Sequence, residues 1–105
     1  MITFNPSFCA TPKPMKTFSR VAKYKNNDSI MRINIKSEAP RSYDLNIISM
    51  DKDGKTVSGY REAFSNGSIQ EFREWVNLAL NKVRNYCEDS KVTEDMQDFF
   101  VGISK

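Results

Sequence analysis

Histidine is absent from this chain of 105 residues, and its absence removes whole classes of chemistry. A serine or cysteine nucleophile activated by imidazole needs that ring within hydrogen-bond reach, and histidine-assisted metal sites need its nitrogen. Cysteine is almost as scarce. Cys9 and Cys87 lie far apart, too few for a thiolate zinc site and unlike a disulfide framework; Cys87 reads as a small core residue. Carboxylates, lysines and tyrosines remain, but no spacing gathers them. The chain is therefore expected not to be an enzyme, with no catalytic, cofactor-binding or metal-ligating residue assigned. Long apolar runs are missing too, so no membrane association is expected. No charged-then-apolar leader opens the sequence, which points to the cytoplasm. Without such a leader, the glycosylation-like triplets at Asn27 and Asn66 carry no weight.

What is present fits one soluble globular domain: 39% hydrophobic and 28% charged residues, with enough chain to bury a core unaided. The net charge of +3 is unevenly placed. Lys13, Lys16, Arg20, Lys23, Lys25, Arg32 and Lys36 face only Asp28 in the first 36 residues, and the remainder is net acidic. A polyanion would meet the front third.

The firmest element is Ser68 to Cys87. Ser68 and Glu71 have capping-box spacing, and Ile69, Phe72, Trp75, Val76, Ala79, Leu80, Val83, Tyr86 and Cys87 fall in one arc of roughly 140° at helical period. Leu78 alone sits off that arc. Upstream, residues 1–16 carry three of the four prolines and no lasting period, so they read as an N-terminal arm to a domain over 17–105. Four strands are expected. The first starts at Thr17, with Phe18, Ala22 and Tyr24 sharing a face with Arg20. The second, Ile30 to Lys36, alternates Met31, Ile33 and Ile35 against Arg32, Asn34 and Lys36. The third runs Tyr43 to Met50 and the fourth Thr56 to Phe64, joined by a tight turn at Asp53-Gly54 with positive φ values. Asp51-Lys52-Asp53-Gly54 begins like a calcium loop but lacks the later acidic ligands. Gly59 is a candidate bulge. After a polar link from Glu88 to Lys91, Thr93 could cap a short helix bearing Met96, Phe99, Phe100 and Ile103 on one side.

The expected fold class is α+β: a four-stranded antiparallel sheet, a long amphipathic helix and a short C-terminal helix. One sheet face packs under the helix and the other stays bare. Arg20, Lys23, Tyr24, Arg32, Asn34, Lys36, Tyr60 and Arg61 are the candidate binding residues, because cations neutralise phosphates and rings or arginine planes stack unpaired bases. The helix IQEFREWVNLALNKVRNY at 69–86 resembles that of PUR-type proteins. SMDKDGKTVSGYREAF at 49–64 is similar to the third and fourth strands of the positive-cofactor coactivators, and the element order resembles those and Whirly-type single-strand binders. Over residues 17–87, the resemblance implies a homodimer holding single-stranded DNA or RNA across its sheets. The alternative is a small inhibitor or adaptor, of the kind phages and plasmids encode, that blocks a host protein complex. The Phe-bearing arm and apolar tail helix suit it.

Overall fold

The computed structural model describes residues 15–65 and 67–104, so the expected arm, including Cys9, lies almost wholly outside the described residues. The elements are β1 (Lys16–Lys23), β2 (Ile30–Ser37), β3 (Tyr43–Met50), β4 (Thr56–Phe64), α1 (Ile69–Tyr86) and α2 (Ser90–Gly102). The strands pair antiparallel in chain order. This is the expected α+β class.

Alternation with a period of two sorts the side chains. Phe18, Ala22, Met31, Ile33, Ile35, Tyr43, Leu45 and Ile47 all point to one side and are buried there. Register is fixed by that set, since Ile35 stands opposite both Phe18 and Leu45 and a slip of one residue would turn the apolar face to water. The β3–β4 turn differs from the expected two-residue type. Only Gly54 has positive φ, at 82°; Gly54 N–H donates to the Asp51 carbonyl and Asp51 N–H to that of Lys55, both at 2.9 Å. The Asp51 carboxylate accepts from the amides of Asp53 and Lys55, which favours this wider turn. The register shift in the hairpin falls between Ser49 and Met50, opposite the start of β4 and away from Gly59.

Helix α1 starts where the capping box dictates. Ser68 Oγ accepts from Glu71 N–H at 3.1 Å, and a Glu71 carboxylate oxygen accepts from Ser68 N–H at 3.1 Å. It buries Phe72, Val76, Ala79, Leu80 and Val83. Helix α2 starts four residues earlier than a cap at Thr93 would place it. The Asp89 carboxylate takes the Lys91 amide at 2.9 Å and supplies the cap, while buried Thr93 donates its hydroxyl to the Ser90 carbonyl. The link from Glu88 to Lys91 is therefore mostly cap and first turn.

The chain crosses back on itself at Cys87, which is buried and pairs with Tyr24 in an isolated bridge. Lys25 N–H donates to the Tyr86 carbonyl and Glu88 N–H to that of Lys23, each at 2.9 Å. From there α2 returns along β1: Arg20 meets Asp95 at 3.3 Å, and the Phe18 and Phe99 rings lie 5.7 Å apart. Arg41, in left-handed conformation at φ 53°, closes the far end. Its amide donates to the Ile103 carbonyl at 2.8 Å and its Nε to the Gly67 carbonyl at 3.2 Å.

Two substitutions separate these contributions. Ser68→Ala, losing the cap bond, is expected to cost about 1 kcal/mol in chemical denaturation. Phe100→Ala, leaving a void among fully buried neighbours, is expected to cost about 3–5 kcal/mol.

Candidate binding face

Both helices pack on the same side of the sheet, and the residues alternate with the core set point the other way. Strand register arranges that other side in rows. Thr17, Lys36, Asp44 and Ala63 form one, and Ser19, Asn34, Asn46 and Arg61 the next; then come Val21, Arg32, Ile48 and Gly59, and finally Lys23, Ile30, Met50 and Thr56. The first two rows are polar and line a shallow depression of about 480 Å³. The last two mix four aliphatic side chains, Val21, Ile30, Ile48 and Met50, with the cations Lys23 and Arg32, and Val21 is 57% exposed. Among the described residues nothing covers either half.

Arg61 is held across the sheet by a fork to Asp44, with Nε at 3.1 Å and an Nη at 2.7 Å from its two carboxylate oxygens. The bond to Arg61 holds the Asp44 carboxyl below the usual carboxylate range, and Asp44 pushes the Arg61 guanidinium up. The Arg61 side chain is 73% exposed, so water screens the pair and its contribution to stability is small. Its larger effect is on charge, since one of the face's cations is already partnered. Ser19 donates to the Asn34 amide oxygen at 2.9 Å. Lys23, Arg32 and Lys36 make no ion pair among the described residues.

Of the eight candidate binding residues, the fold gathers Lys23, Arg32, Asn34, Lys36 and Arg61 on this face. Arg20, Tyr24 and Tyr60 are on the opposite side, for a simple reason: even-numbered residues of β1 and β4 share parity with the core set. Arg20 spans the Phe18 ring at 4.9 Å to reach Asp95. Tyr24 meets Ser49 through its hydroxyl and Tyr86 edge-on. Tyr60 donates to Glu62 at 2.7 Å, and the Lys82 ammonium sits 3.8 Å above its ring. Among the described residues the bare face therefore carries no aromatic ring. The alternation in the sequence turns Val21 and Ile48 outward, but neither they nor Ile30 and Met50 were among the candidate binding residues, which were chosen for charge and rings.

The rings gather on the covered side, at its β4 margin. Tyr43 and Tyr60 both donate to the Glu62 carboxylate. Burial first, then the Glu62 bond, pushes the Tyr43 phenol up, while Tyr60 is raised to about 12, chiefly by its bond to Glu62. Between the end of α1 and the sheet lies a narrow cleft of about 210 Å³ beside Tyr24, Tyr60, Lys82 and Tyr86. Among the described residues no cluster of three acidic or cysteine side chains could hold a metal, and no helix is long and apolar enough to cross a membrane.

Compared with protein-family models, curated proteins and solved structures, the chain matches none of them. Fold and surface define an α+β domain of ββββαα order with one uncovered sheet face.

The tyrosine pair sets an alkaline limit. A phenol whose folded pKa lies above its unfolded value near 10 contributes stability that is complete below about pH 10 and is lost as pH rises towards the folded value. Ultraviolet titration should find Tyr60 ionising near 12. In Glu62→Gln, without the carboxylate, that transition should move back towards the ordinary value near 10.

Proposed function

We propose that this chain is a non-catalytic binding domain that docks on another protein through the bare face of its sheet, as a small inhibitor or adaptor would. The make-up of that face carries the reading. Val21, Ile30, Ile48 and Met50 form an aliphatic half beside cations and amides, and the described rings are turned to the other side. Apolar area left in water forgoes about 25 cal/mol per Å², and contiguous patches of it on small domains mark interaction sites. The fitting partner presents apolar side chains within an acidic surround, so that Arg32 meets a carboxylate between Val21 and Ile48 while Lys23 and Lys36 meet others at the rim. Rim charges of this kind speed encounter and fix orientation more than they add affinity.

A second reading, single-stranded DNA or RNA, is favoured by the surplus of cations: Lys23, Arg32, Lys36 and Arg61 outnumber Asp44. Phosphates would be neutralised by those groups, and bases would lie against Ile48, Met50 and the arginine planes. Without rings the site forgoes about 1–3 kcal/mol per stacked base, so binding on this reading is weak and steeply salt-dependent.

Ile48→Asp places a charge in the aliphatic half without touching the core. With a partner recovered by crosslinking and then purified, it should weaken binding by about thirtyfold, the loss of a central interface anchor. Lys23→Glu, at the end of the edge strand β1, should act mainly on the association rate. Fluorescence anisotropy with labelled single-stranded oligonucleotides at low and high salt decides between the readings. Tight binding that falls steeply with salt, and weakens for every sequence in Lys36→Glu, would replace the protein-docking reading with the nucleic-acid one.

A further inference from the structure

We infer that β4 and the adjoining ridge of α1 form the interface of a two-fold homodimer, with β4 of one chain pairing antiparallel to β4 of a second copy. This is independent of what the bare face binds.

The sheet has two edge strands, β1 and β4, and they are treated differently. An edge presents a row of unpaired amides and carbonyls that invites another strand, and proteins blunt it with lysines, prolines or a covering element. β1 has Lys16 and Lys23 at its ends, with α2 lying along it through Arg20–Asp95 and a bond from Lys16 Nζ to the Gly102 carbonyl. Among the described residues no element covers β4; its guards are the bulge at its start, where Val57 falls between the partners of Met50 and Ser49, and the charges of Arg61 and Glu62. Over its nine residues, TVSGYREAF, it contains neither lysine nor proline, and no position is fully buried.

A ridge of apolar side chains runs beside this edge, which no described element covers. Trp75 packs on Phe64 and Lys82 sits over Tyr60, with ring-to-ring and ammonium-to-ring distances of 5.6 and 3.8 Å. One side of α1 therefore borders β4. Leu78 lies on that side between them, 64% exposed, and Trp75 is 39% exposed. A foreign strand added to β4 would satisfy the edge amides and leave this ridge in water. A second copy brings both a strand and a helix, because a two-fold axis beside β4 sets ridge against ridge.

Register selects one arrangement. Bare and covered faces stay continuous only if residues of equal parity stand opposite, so the axis passes through a residue and not between two. Centring it on Tyr60 overlaps the strand with itself from Val57, against Ala63, onward; Thr56 lies beyond the bulge and outside the pairing. The same register keeps like charges apart, with Arg61 opposite Gly59, whose missing side chain leaves room, and Glu62 opposite Ser58, a hydroxyl donor. Centring on Arg61 or Glu62 would set each against its own copy, which is unfavourable. The charges are also answered within each chain, Arg61 by Asp44 and Glu62 by the hydroxyls of Tyr43 and Tyr60. The product is an eight-stranded sheet with a doubled bare face.

The test is solution mass by sedimentation equilibrium across a concentration series, with three variants. Wild type should approach twice the 12.1 kDa of one chain. Leu78→Arg, at an exposed position, and Gly59→Arg, which sets arginine opposite Arg61, should each weaken the dimer by roughly tenfold or more, because symmetry counts every changed contact twice. Gly59→Glu should hold or tighten it. A Cβ at Gly59 would meet only the Ile47 carbonyl oxygen, at an ordinary contact distance of 3.9 Å, and the position has no positive φ, so a folding defect would affect both substitutions alike, and circular dichroism checks all three. A wild type that stays at one chain's mass overturns the proposal, as does a dimer indifferent to Leu78→Arg. A dimer weakened equally by arginine and glutamate at Gly59 overturns the β4 register. A monomer that takes up a foreign strand at β4 assigns the edge to another partner and also overturns it.

Discussion

The Tyr43 ring is the point at which the three layers of contact meet. It stands at the start of β3, stacks near Phe64 of β4, and takes Phe72 of α1 and Phe100 of α2 edge-on at 6.3 and 5.1 Å. Edge-to-face pairs add about 0.5–1.5 kcal/mol each beyond the area they bury, and here they set the height of both helices above the sheet at one end. The other end is set by backbone, where the bonds around Cys87 tie the end of α1 to that of β1. With both ends fixed, α1 lies across the sheet and α2 is left only the strip over β1. That division of space puts both helices on one side, and among the described residues the reverse of the sheet stays open.

Most of the fold was legible because two periods speak clearly in this sequence. Alternation over Ile30–Lys36 and Tyr43–Met50 separates the faces with few exceptions, and the Ser68–Glu71 pair places the start of α1 to the residue. The second helix was misplaced because Asp89 and Thr93 are both competent caps. The chain resolves the competition by burying Thr93 and leaving Asp89 at the surface, and burial is a tertiary fact that no local spacing contains. The turn at Gly54 likewise depends on which amides the Asp51 carboxylate reaches.

The site was less legible than the fold. Lys23, Arg32, Asn34, Lys36 and Arg61 were assignable from parity alone, and parity also speaks against Arg20, Tyr24 and Tyr60, which share it with buried neighbours. Those three were attractive for their chemistry, and their place in the alternation should have outweighed it. Their actual partners explain why polar groups survive on a covered face. Arg20 lies along a ring and emerges to a carboxylate, and both tyrosines end on a hydroxyl or carboxylate partner, so each keeps its apolar part inside and its polar tip satisfied. What remains on the open side is half aliphatic, which changes the kind of surface it can recognise.

The bonds around Cys87 also bear on how the chain assembles during synthesis. The β2–β3–β4 meander and α1 use neighbouring segments and can form as they leave the ribosome. β1, by contrast, gains anchors at Asp95, Phe99 and the Gly102 carbonyl from a helix that follows three further strands and α1. Such long-range closure is slow compared with local pairing. Until α2 docks, β1 is held by its hairpin with β2, and Lys16 and Lys23 charge that margin against stray strands.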